Sequence, residues 1–310
     1  MAKISRPRFG SLQYWPRKRS ERAFPRVNWN AVSRHNYEGF LGLIAYKVGM
    51  ATALVRDKTD KSMTVNKKIA LPVTILEVPK MKIFSVRFYK HGNVMKEVVT
   101  SHDKELKHLV RVPKAIPAFN APEGWDEVRV IVYSLMKGMF KKTPNLAEIV
   151  VRGKNPLEFI KSHIGKEISL KEVPGLSLVD VRGLTKGKGL VGPVKRFGIS
   201  LKSHKSEKGV RRPGSLGPWH PARVTFRTPM AGQLGMFSRI QYNLPIISKG
   251  ALDSPLTNIV FNHYGSVTGD YIIVAGSVQG PPKREVIVTP ALRPTRKQLK
   301  KKYELMEIKR

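Results

Sequence analysis

Alternating apolar and polar positions mark most of the regular structure along this 310-residue chain. Ile69, Leu71, Val73 and Ile75 occupy every second position, and a similar alternation runs through 84–88. Period two with β-branched and aromatic residues is typical of strands that bury one face. Similar patterns predict further strands at 40–50, 128–132, 149–151, 177–183, 222–226, 258–267, 271–278 and 285–288. Residues 56–68 are polar and predict a hairpin loop, and Thr268-Gly269-Asp270 predicts a hairpin turn.

Helices are few. Asn155 is a good N-cap, Pro156 suits the first helical position, and Glu158 can complete a capping box. The helix that they begin has an apolar face and a glycine placed to end it, namely Leu157, Ile160 and Ile164 with Gly165. In the basic tail, the spacing of Leu299, Tyr303 and Met306 predicts a second, short helix.

These elements predict a mainly β fold with an inserted α+β domain. The inserted block has nearly balanced charge, with 13 basic and 9 acidic residues over 100–175. The predicted organisation is an extended basic N-terminal arm, a β domain in two parts around the insertion, a basic loop within the second part, and a basic tail: 1–39, 40–99, 100–175, 176–290 with its loop at 184–245, and 291–310.

Net charge restricts the possible functions more than the predicted fold does. The chain has 57 Lys and Arg against 22 Asp and Glu, a net charge of +35. Such an excess favours a polyanionic partner, because cations that neutralise phosphates release counterions. A basic thermophilic enzyme is disfavoured, since such enzymes raise Glu together with Lys. With no cysteine, no apolar leader and no apolar run of membrane length, we expect a cytoplasmic protein with no membrane partner.

The excess charge is concentrated in two segments. Residues 1–26 hold eight Lys and Arg, one acid and several aromatic residues, which suits an arm that tracks phosphates and stacks on unpaired bases. The alternative is that these aromatics dock back on the protein itself. Residues 182–227 hold twelve Lys and Arg, one acid and eight glycines. A loop this long is rarely without function, and its composition predicts that its order comes from a partner.

Signatures of enzymes are weak by comparison. Gly187, Gly189 and Gly192 fit the glycine spacing of a dinucleotide site, but Pro193 follows where a helix should be running, and no βαβ pattern surrounds them. The segment is also not a Walker A loop. The eight histidines have no metal-ligand spacing, and Ser203-His204 has no acid partner. We therefore expect no enzymatic activity, no metal and no cofactor.

Residues 215–224, SLGPWHPARV, are the sharpest local feature. Pro218 and Pro221 flank Trp219 and His220, which bars a helix interior and a central strand and presents the indole on a stiff turn. Two hypotheses follow. Either the indole reaches into RNA, or it plugs a small hydrophobic cluster beneath the loop.

Several segments together resemble large-subunit ribosomal protein number three. They are PRFGSLQYWPRKRS (7–20), FLGLIAYKVGM (40–50), TKGKGLVGPVKRFG (185–198), SLGPWHPARV (215–224) and MAGQLG (230–235). The long basic arm and the Trp-His-Pro tip are similar to the archaeal and eukaryotic branch. The resemblance covers nearly the whole chain, with departures at Glu207 and at Met236-Phe237.

The resemblance implies a six-stranded β-barrel of the translation-protein type with long basic extensions that penetrate RNA. It implies a structural constituent of the large ribosomal subunit, bound to 23S-type rRNA and neighbouring subunit proteins, with no homo-oligomer. The loop tip, called the tryptophan finger, would approach the peptidyl-transferase region from the aminoacyl-tRNA side. The expected RNA-binding residues are Arg6, Arg8, Tyr14, Trp15, Arg17, Lys18, Arg19, Lys186, Lys188, Lys195, Arg196, Lys202, His204, Lys205, Arg211, Arg212, Trp219, His220, Arg223 and Gln233.

Two other classes stay open on the residues alone. A general nucleic-acid packaging protein would share the charge but would not need an aromatic-tipped loop. An RNA-modifying enzyme would use Gly187–Gly192 to bind a nucleotide cofactor.

Overall fold

The structure is a computed structural model that describes residues 11–34, 37–173, 177–250 and 259–309. The chain divides into two compact units. Unit 1 comprises Met1–Arg22 with Leu184–Ser238, and unit 2 comprises Ala23–Gly183 with Arg239–Arg310. Each unit is described separately below.

Strands account for most of the regular structure, as the sequence predicts. In chain order they are β1 (Gly39–Phe40), β2 (Leu43–Asp57), β3 (Lys68–Val78), β4 (Met81–Lys90), β5 (Asn93–Val99), β6 (Glu127–Ser134), β7 (Leu146–Arg152), β8 (Leu178–Leu184), β9 (Leu190–Val191), β10 (Gly232–Gln233), β11 (Ser238–Gly250), β12 (Asp270–Ala275), β13 (Glu285–Pro290) and β14 (Tyr303–Lys309).

The α-helices in the described residues are short. They are α1 (Trp29–Val32), α2 (Pro156–His163), α3 (Pro193–Phe197) and α4 (Arg296–Leu299). None of the helices within the described ranges is long and apolar enough to cross a membrane. Helix α2 begins and ends where the sequence predicts, with Pro156 at its first position and Gly165 at a φ of +78° just beyond it. Asn155 does not cap the backbone; its side chain donates to Glu158 at 3.0 Å.

Unit 2 contains a large sheet whose strand order is β13-β8-β11-β12-β3-β2-β14, and β13 also pairs with β2. The hydrogen bonding therefore returns to its starting strand through six members, with β14 added at one side. Strand β2 contributes to this closed pairing because its two halves pair with different strands along one edge. Leu43–Tyr46 pairs with β13, whereas Thr52–Asp57 pairs with β14, and a register shift at 47–49 separates the two stretches.

A second, five-stranded sheet in unit 2 has the order β1-β7-β6-β4-β5 and is antiparallel throughout. Helix α2 packs on it through Phe159, whose ring lies 5.2 Å from that of Phe40. One continuous apolar core joins the two sheets, and Tyr46 adds a polar link. The buried Tyr46 hydroxyl lies 2.9 Å from Ser134 Oγ and donates to Asn145 Oδ1 at 2.6 Å.

The predicted strand 40–50 is interrupted at Gly42, where a side chain would meet the indole of Trp29 at 3.0 Å. Trp29 is 4% exposed and Val32 is fully buried, so this part of the predicted arm 1–39 belongs to a folded core. Tertiary packing thus shortens the extended region that charge alone predicts.

Three predicted elements are wrong. Residues 222–226 form no strand, because Val224 and Phe226 are exposed and no neighbouring strand pairs with them. Of the predicted strand 258–267, residues 259–267 contain only the bridge between Phe261 and Gly265, and Asn258 lies outside the described residues. The predicted turn at 268–270 instead leads into β12, and the turn lies at 262–264.

The predicted C-terminal helix is also wrong beyond Leu299. Residues Tyr303–Lys309 are strand β14, paired with the open edge of β2. Helical spacing of three apolar residues is outweighed here by an unpaired strand edge, since each backbone group gains a partner there.

Two predicted boundaries do not coincide with the strand pairing. Strands β4 and β5, which precede residue 100, belong to the same sheet as β6 and β7. Residues 238–245, grouped with the basic loop in the sequence analysis, belong to strand β11.

Glu77 fixes the segment that joins the bridge at Phe261 to strand β12. Its buried carboxylate accepts hydrogen bonds from the Thr268 amide at 2.8 Å, the Gly269 amide at 2.7 Å, and the hydroxyls of Thr268 and Tyr264. Burial raises the pKa of the Tyr264 hydroxyl well above its usual range, and the charge of Glu77 adds to that rise.

We predict that Glu77→Gln lowers the free energy of unfolding by about 1–3 kcal/mol, because an amide cannot accept at both oxygen positions and loses the charge that strengthens these bonds. Chemical denaturation of the full chain measures this. Glu307→Gln is the matched control, since that side chain is 58% exposed and should change stability by less than about 0.5 kcal/mol. Equal losses for both variants would contradict the role of Glu77.

Candidate nucleic-acid interface

Unit 1 carries a disproportionate share of the charge. It holds 18 Lys and Arg against two acids, Glu21 and Glu207, in about a quarter of the chain. Glu21 lies 3.6 Å from Lys18, with both side chains largely exposed, so this pair neutralises little. Ion pairs cannot organise such a unit, and its order must come from other contacts.

Backbone pairing organises the base of the loop. Strands β9 and β10 are antiparallel, with Gly232 opposite Val191 and Gln233 opposite Leu190. Beyond them, the Lys188 amide donates to Leu234 O at 2.9 Å, and the Thr185 amide donates to Phe237 O at 3.0 Å. We call residues 185–191 with 232–237 the loop ladder. Its backbone hydrogen bonds lie within the chain and do not need a partner.

The loop ladder depends on a glycine at 235. Gly235 has a φ of +81°, and a Cβ atom added there would lie 1.9 Å from Lys186 O. Two strands of the ladder therefore approach more closely than any side chain at this position allows. The ladder holds the Lys186 and Lys188 side chains outward, where both are exposed.

Helix α3 corrects one argument made from the sequence. Gly192 caps it and Pro193 is its first residue, so the proline begins a helix and does not prevent one. The dinucleotide hypothesis is still disfavoured, because α3 has only five residues and the strand before it, β9, pairs antiparallel with β10. A dinucleotide fold requires a parallel βαβ unit at this point.

Arg196 ties three segments of unit 1 together. Its guanidinium donates to Met230 O at 3.0 Å through Nη1, to Gln233 O at 3.1 Å through Nε, and to Arg17 O at 3.5 Å through Nη2. All three acceptors are neutral carbonyls. Partial burial lowers the pKa of this guanidinium below its ordinary value, and no opposing carboxylate contributes.

Aromatic contacts reinforce the same junction. The Trp15 ring meets Phe197 edge-on at 6.0 Å and Phe226 edge-on at 5.5 Å. The Arg17 guanidinium lies 4.5 Å from the Phe197 ring centroid and donates to Arg196 O at 3.2 Å. Trp15 thus docks on the protein itself, as the alternative hypothesis for the arm predicts for this residue. These side chains line a cleft of about 530 Å³, which we call the aromatic–arginine cleft.

The loop tip differs from the junction around Arg196, because the indole ring of Trp219 at the tip is exposed to solvent. Trp219 is 85% exposed, so the hypothesis that it plugs a hydrophobic cluster is wrong. The backbone beneath it is held by Thr228, whose hydroxyl donates to Leu216 O at 2.9 Å and whose amide donates to Thr225 O at 3.1 Å. The result is an exposed indole on a braced turn.

The predicted RNA-binding residues fall into three groups. Arg6 and Arg8 lie outside the described residues. Trp15, Arg17, Arg196 and Gln233 are partly buried and contact other parts of unit 1. The largest group has exposed side chains: Tyr14, Lys18, Arg19, Lys186, Lys188, Lys195, Lys202, His204, Lys205, Arg211, Arg212, Trp219, His220 and Arg223.

Sequence reasoning missed Phe197 and Phe226. Both line the cleft, but VTF (224–226) alternates like a strand and was interpreted as one. Phe197 directly follows Arg196 and Phe226 directly precedes Arg227, and this neighbouring basic residue is the only signal in the sequence, which is weak.

Comparisons with known proteins agree with this arrangement of charge and fold. Residues 1–112 and 123–309 match the family model described as Ribosomal protein L3. The chain belongs to the ribosomal protein L3 family. The L3 match extends through both units, so the basic unit and the strand-rich unit are both part of the family pattern.

Curated relatives point the same way. The chain is 38% identical to the large ribosomal subunit protein uL3 of Archaeoglobus fulgidus, covering 94% of this chain and 93% of that protein. It is 38% identical to the protein of the same name from Methanothrix harundinacea, again over 94% and 93%. The one from Methanocaldococcus jannaschii is 35% identical over 94% and 92%.

We predict that Gly235→Ala opens the loop ladder, because its Cβ would collide with the Lys186 carbonyl. Gly189→Ala is the matched control: Gly189 also has positive φ, at +64°, but a Cβ there meets nothing within 4 Å. Amide hydrogen exchange at Lys188 and Leu234 should speed up by at least about tenfold more in Gly235→Ala than in the control, which bears only a conformational cost of about 1–2 kcal/mol. Equal exchange in the two variants would show that close backbone approach is unimportant.

Proposed function

We propose that this chain is a structural constituent of the large ribosomal subunit and that it binds large-subunit rRNA through unit 1. Membership of the L3 family supports the first part. The observation that supports the second is the separation of charge: 18 cations and two acids occupy one compact unit whose cationic side chains are mostly exposed. Phosphates are the partner that such a surface favours.

In this proposal the two units divide the work. The six strands β2, β3, β12, β11, β8 and β13, whose pairing returns to its start, form the closed barrel expected of the family. Closure leaves few unpaired edges and gives a rigid body. The arm and the loop 185–237 supply the RNA contacts. The chain performs no chemistry and needs no cofactor, and it acts in the cytoplasm beside neighbouring subunit proteins.

The loop tip is proposed to lie near the peptidyl-transferase region on the aminoacyl-tRNA side. The exposed indole on its braced turn supports this placement, since an apolar ring that is 85% exposed is unfavourable in water and gains by stacking on bases or wedging between them. The exposed cations from Lys186 to Arg223 would neutralise the phosphates along the loop.

Sedimentation of a cell lysate tests the ribosomal proposal. We expect the chain to migrate with the large subunit at moderate salt and to stay there at high salt, because buried contacts of defined shape resist counterion competition better than peripheral charge does. Free migration, or loss at modest salt, would indicate a general packaging protein. Saturable binding of an adenine nucleotide at Gly187–Gly192 would instead support a modifying enzyme.

Trp219→Ala tests the role of the tip. The free energy of unfolding should change by less than about 0.5 kcal/mol, because the indole is exposed. Binding of aminoacyl-tRNA by subunits that carry the variant should weaken. The control is Trp29→Ala, which removes an indole that is 4% exposed and should cost about 3–5 kcal/mol of stability. Normal aminoacyl-tRNA binding by Trp219→Ala subunits would contradict the proposal.

A further inference from the structure

The aromatic–arginine cleft lies wholly within unit 1, and the tip residue Trp219 is not among the residues that line it. Leu12–Arg17 form one side, and residues of α3 and of 225–230 form the other. We infer that this cleft is a binding site for a single unpaired RNA nucleotide, with its base among the rings and its phosphate at Arg196. The inference rests on the proposed function, since it assigns one ligand within the RNA that unit 1 is proposed to bind.

The first argument is an uncompensated charge held in place. The three carbonyls that accept from Arg196 fix its guanidinium without neutralising it, and no carboxylate in the described part of the chain pairs with it. Nε, Nη1 and Nη2 each use one N–H in these contacts, so each terminal nitrogen has a second N–H for another acceptor. A guanidinium in this state suits a phosphate, whose oxygens accept in the same fork geometry.

Position is fixed as well as charge. A Cβ atom at Gly232 would lie 2.7 Å from Arg196 Nη1, so the guanidinium rests directly against the backbone of β10. Little side-chain entropy is left for a ligand to remove, which favours binding.

The second argument is the arrangement of the rings. Phe226 meets Trp15 edge-on at an interplanar angle of 83°, and the Arg227 guanidinium lies 5.5 Å from the Phe226 ring centroid. Phe226 is 67% exposed although it takes part in this contact. A largely exposed aromatic ring beside a fixed cation suits a planar, aromatic and anionic ligand, and each nucleobase offers a π face for stacking.

The third argument concerns size and the strandedness of the RNA. A volume of about 530 Å³ falls in the range of small-ligand sites. Thr225 and Thr228 line the cleft and add hydroxyl groups that suit the polar edge of a base. A base in a duplex is stacked on both faces and paired along one edge, so it cannot enter the cleft. An unpaired base can. The ligand class is therefore a nucleotide extruded from a loop or bulge.

The test uses the full chain and two probes of equal length, a short oligouridylate and a ribose-phosphate oligomer that lacks bases. The variant is Phe226→Ala. Its two controls are Phe226→Tyr, which keeps the ring, and Val224→Ala, which removes an apolar side chain that is 52% exposed and does not line the cleft. Affinities are measured by fluorescence anisotropy over a range of salt.

We expect Phe226→Ala to weaken binding of oligouridylate by about tenfold, because the substitution removes a stacking surface. The salt dependence of binding should not change, because no phosphate contact is removed. Binding of the abasic oligomer should not change, Phe226→Tyr should restore the affinity, and Val224→Ala should match the parent chain. An equal effect of Phe226→Ala on both probes, or none on either, would overturn the inference.

Failure of the inference and failure of the proposed function give different results. If the parent chain binds large-subunit rRNA no better than duplex DNA of equal length, the proposed function fails. If it prefers the rRNA while Phe226→Ala leaves base-dependent binding unchanged, only the nucleotide site is overturned.

Discussion

Positive charge that no acid balances is the constraint on which unit 1 depends. With 18 cations and two acids, it has almost no ion pairs to use, and the contacts that order it are of other kinds. Arg196 bonds to carbonyls, Arg17 lies over Phe197, and Gly235 lets two strands of the loop ladder meet closely. Each of these contacts leaves the cationic charge in place. The contacts that order unit 1 therefore leave its excess positive charge unneutralised.

Unit 2 is ordered in a different way, because it has a smaller excess of positive charge per residue and a large apolar core. Strand β2 is the central element because three strands share its two edges, β3 on one side and β13 and β14 in succession on the other. A register shift in the pairing of β2 with β3 lies at 47–49, between the stretch that pairs with β13 and the stretch that pairs with β14. Buried polar groups then occur where elements must be joined, at Tyr46 between the sheets and at Glu77 beneath the segment that precedes β12.

Apolar patterns predicted eight of the strands, and capping residues predicted helix α2, since both are local signals. The patterns failed where the outcome depended on a distant partner. The apolar spacing around Tyr303 predicted a helix, but these residues pair with the open edge of β2. The alternation in 222–226 formed no strand, since no strand in the described part of the chain pairs with it. Charge and the resemblance predict which segments form the candidate interface, and that assignment stays a prediction. They could not show that Trp15 and Arg196 contact other parts of the chain, because these contacts join residues about 180 positions apart.

Two of the exposed aromatic residues of unit 1, Trp219 and Phe226, suit different kinds of contact. Trp219 stands alone on a braced turn, so a partner must bring its own surface to both faces of the indole. Phe226 stands beside Trp15, Phe197 and a fixed guanidinium, so a ligand there finds a wall, an adjoining ring and a charge already in place. Binding at a site whose parts are already ordered costs less conformational entropy than binding that must first order them. For this reason the proposed nucleotide would bind at the cleft with a smaller ordering cost, whereas the proposed contact at the tip would gain affinity from a larger folded RNA surface.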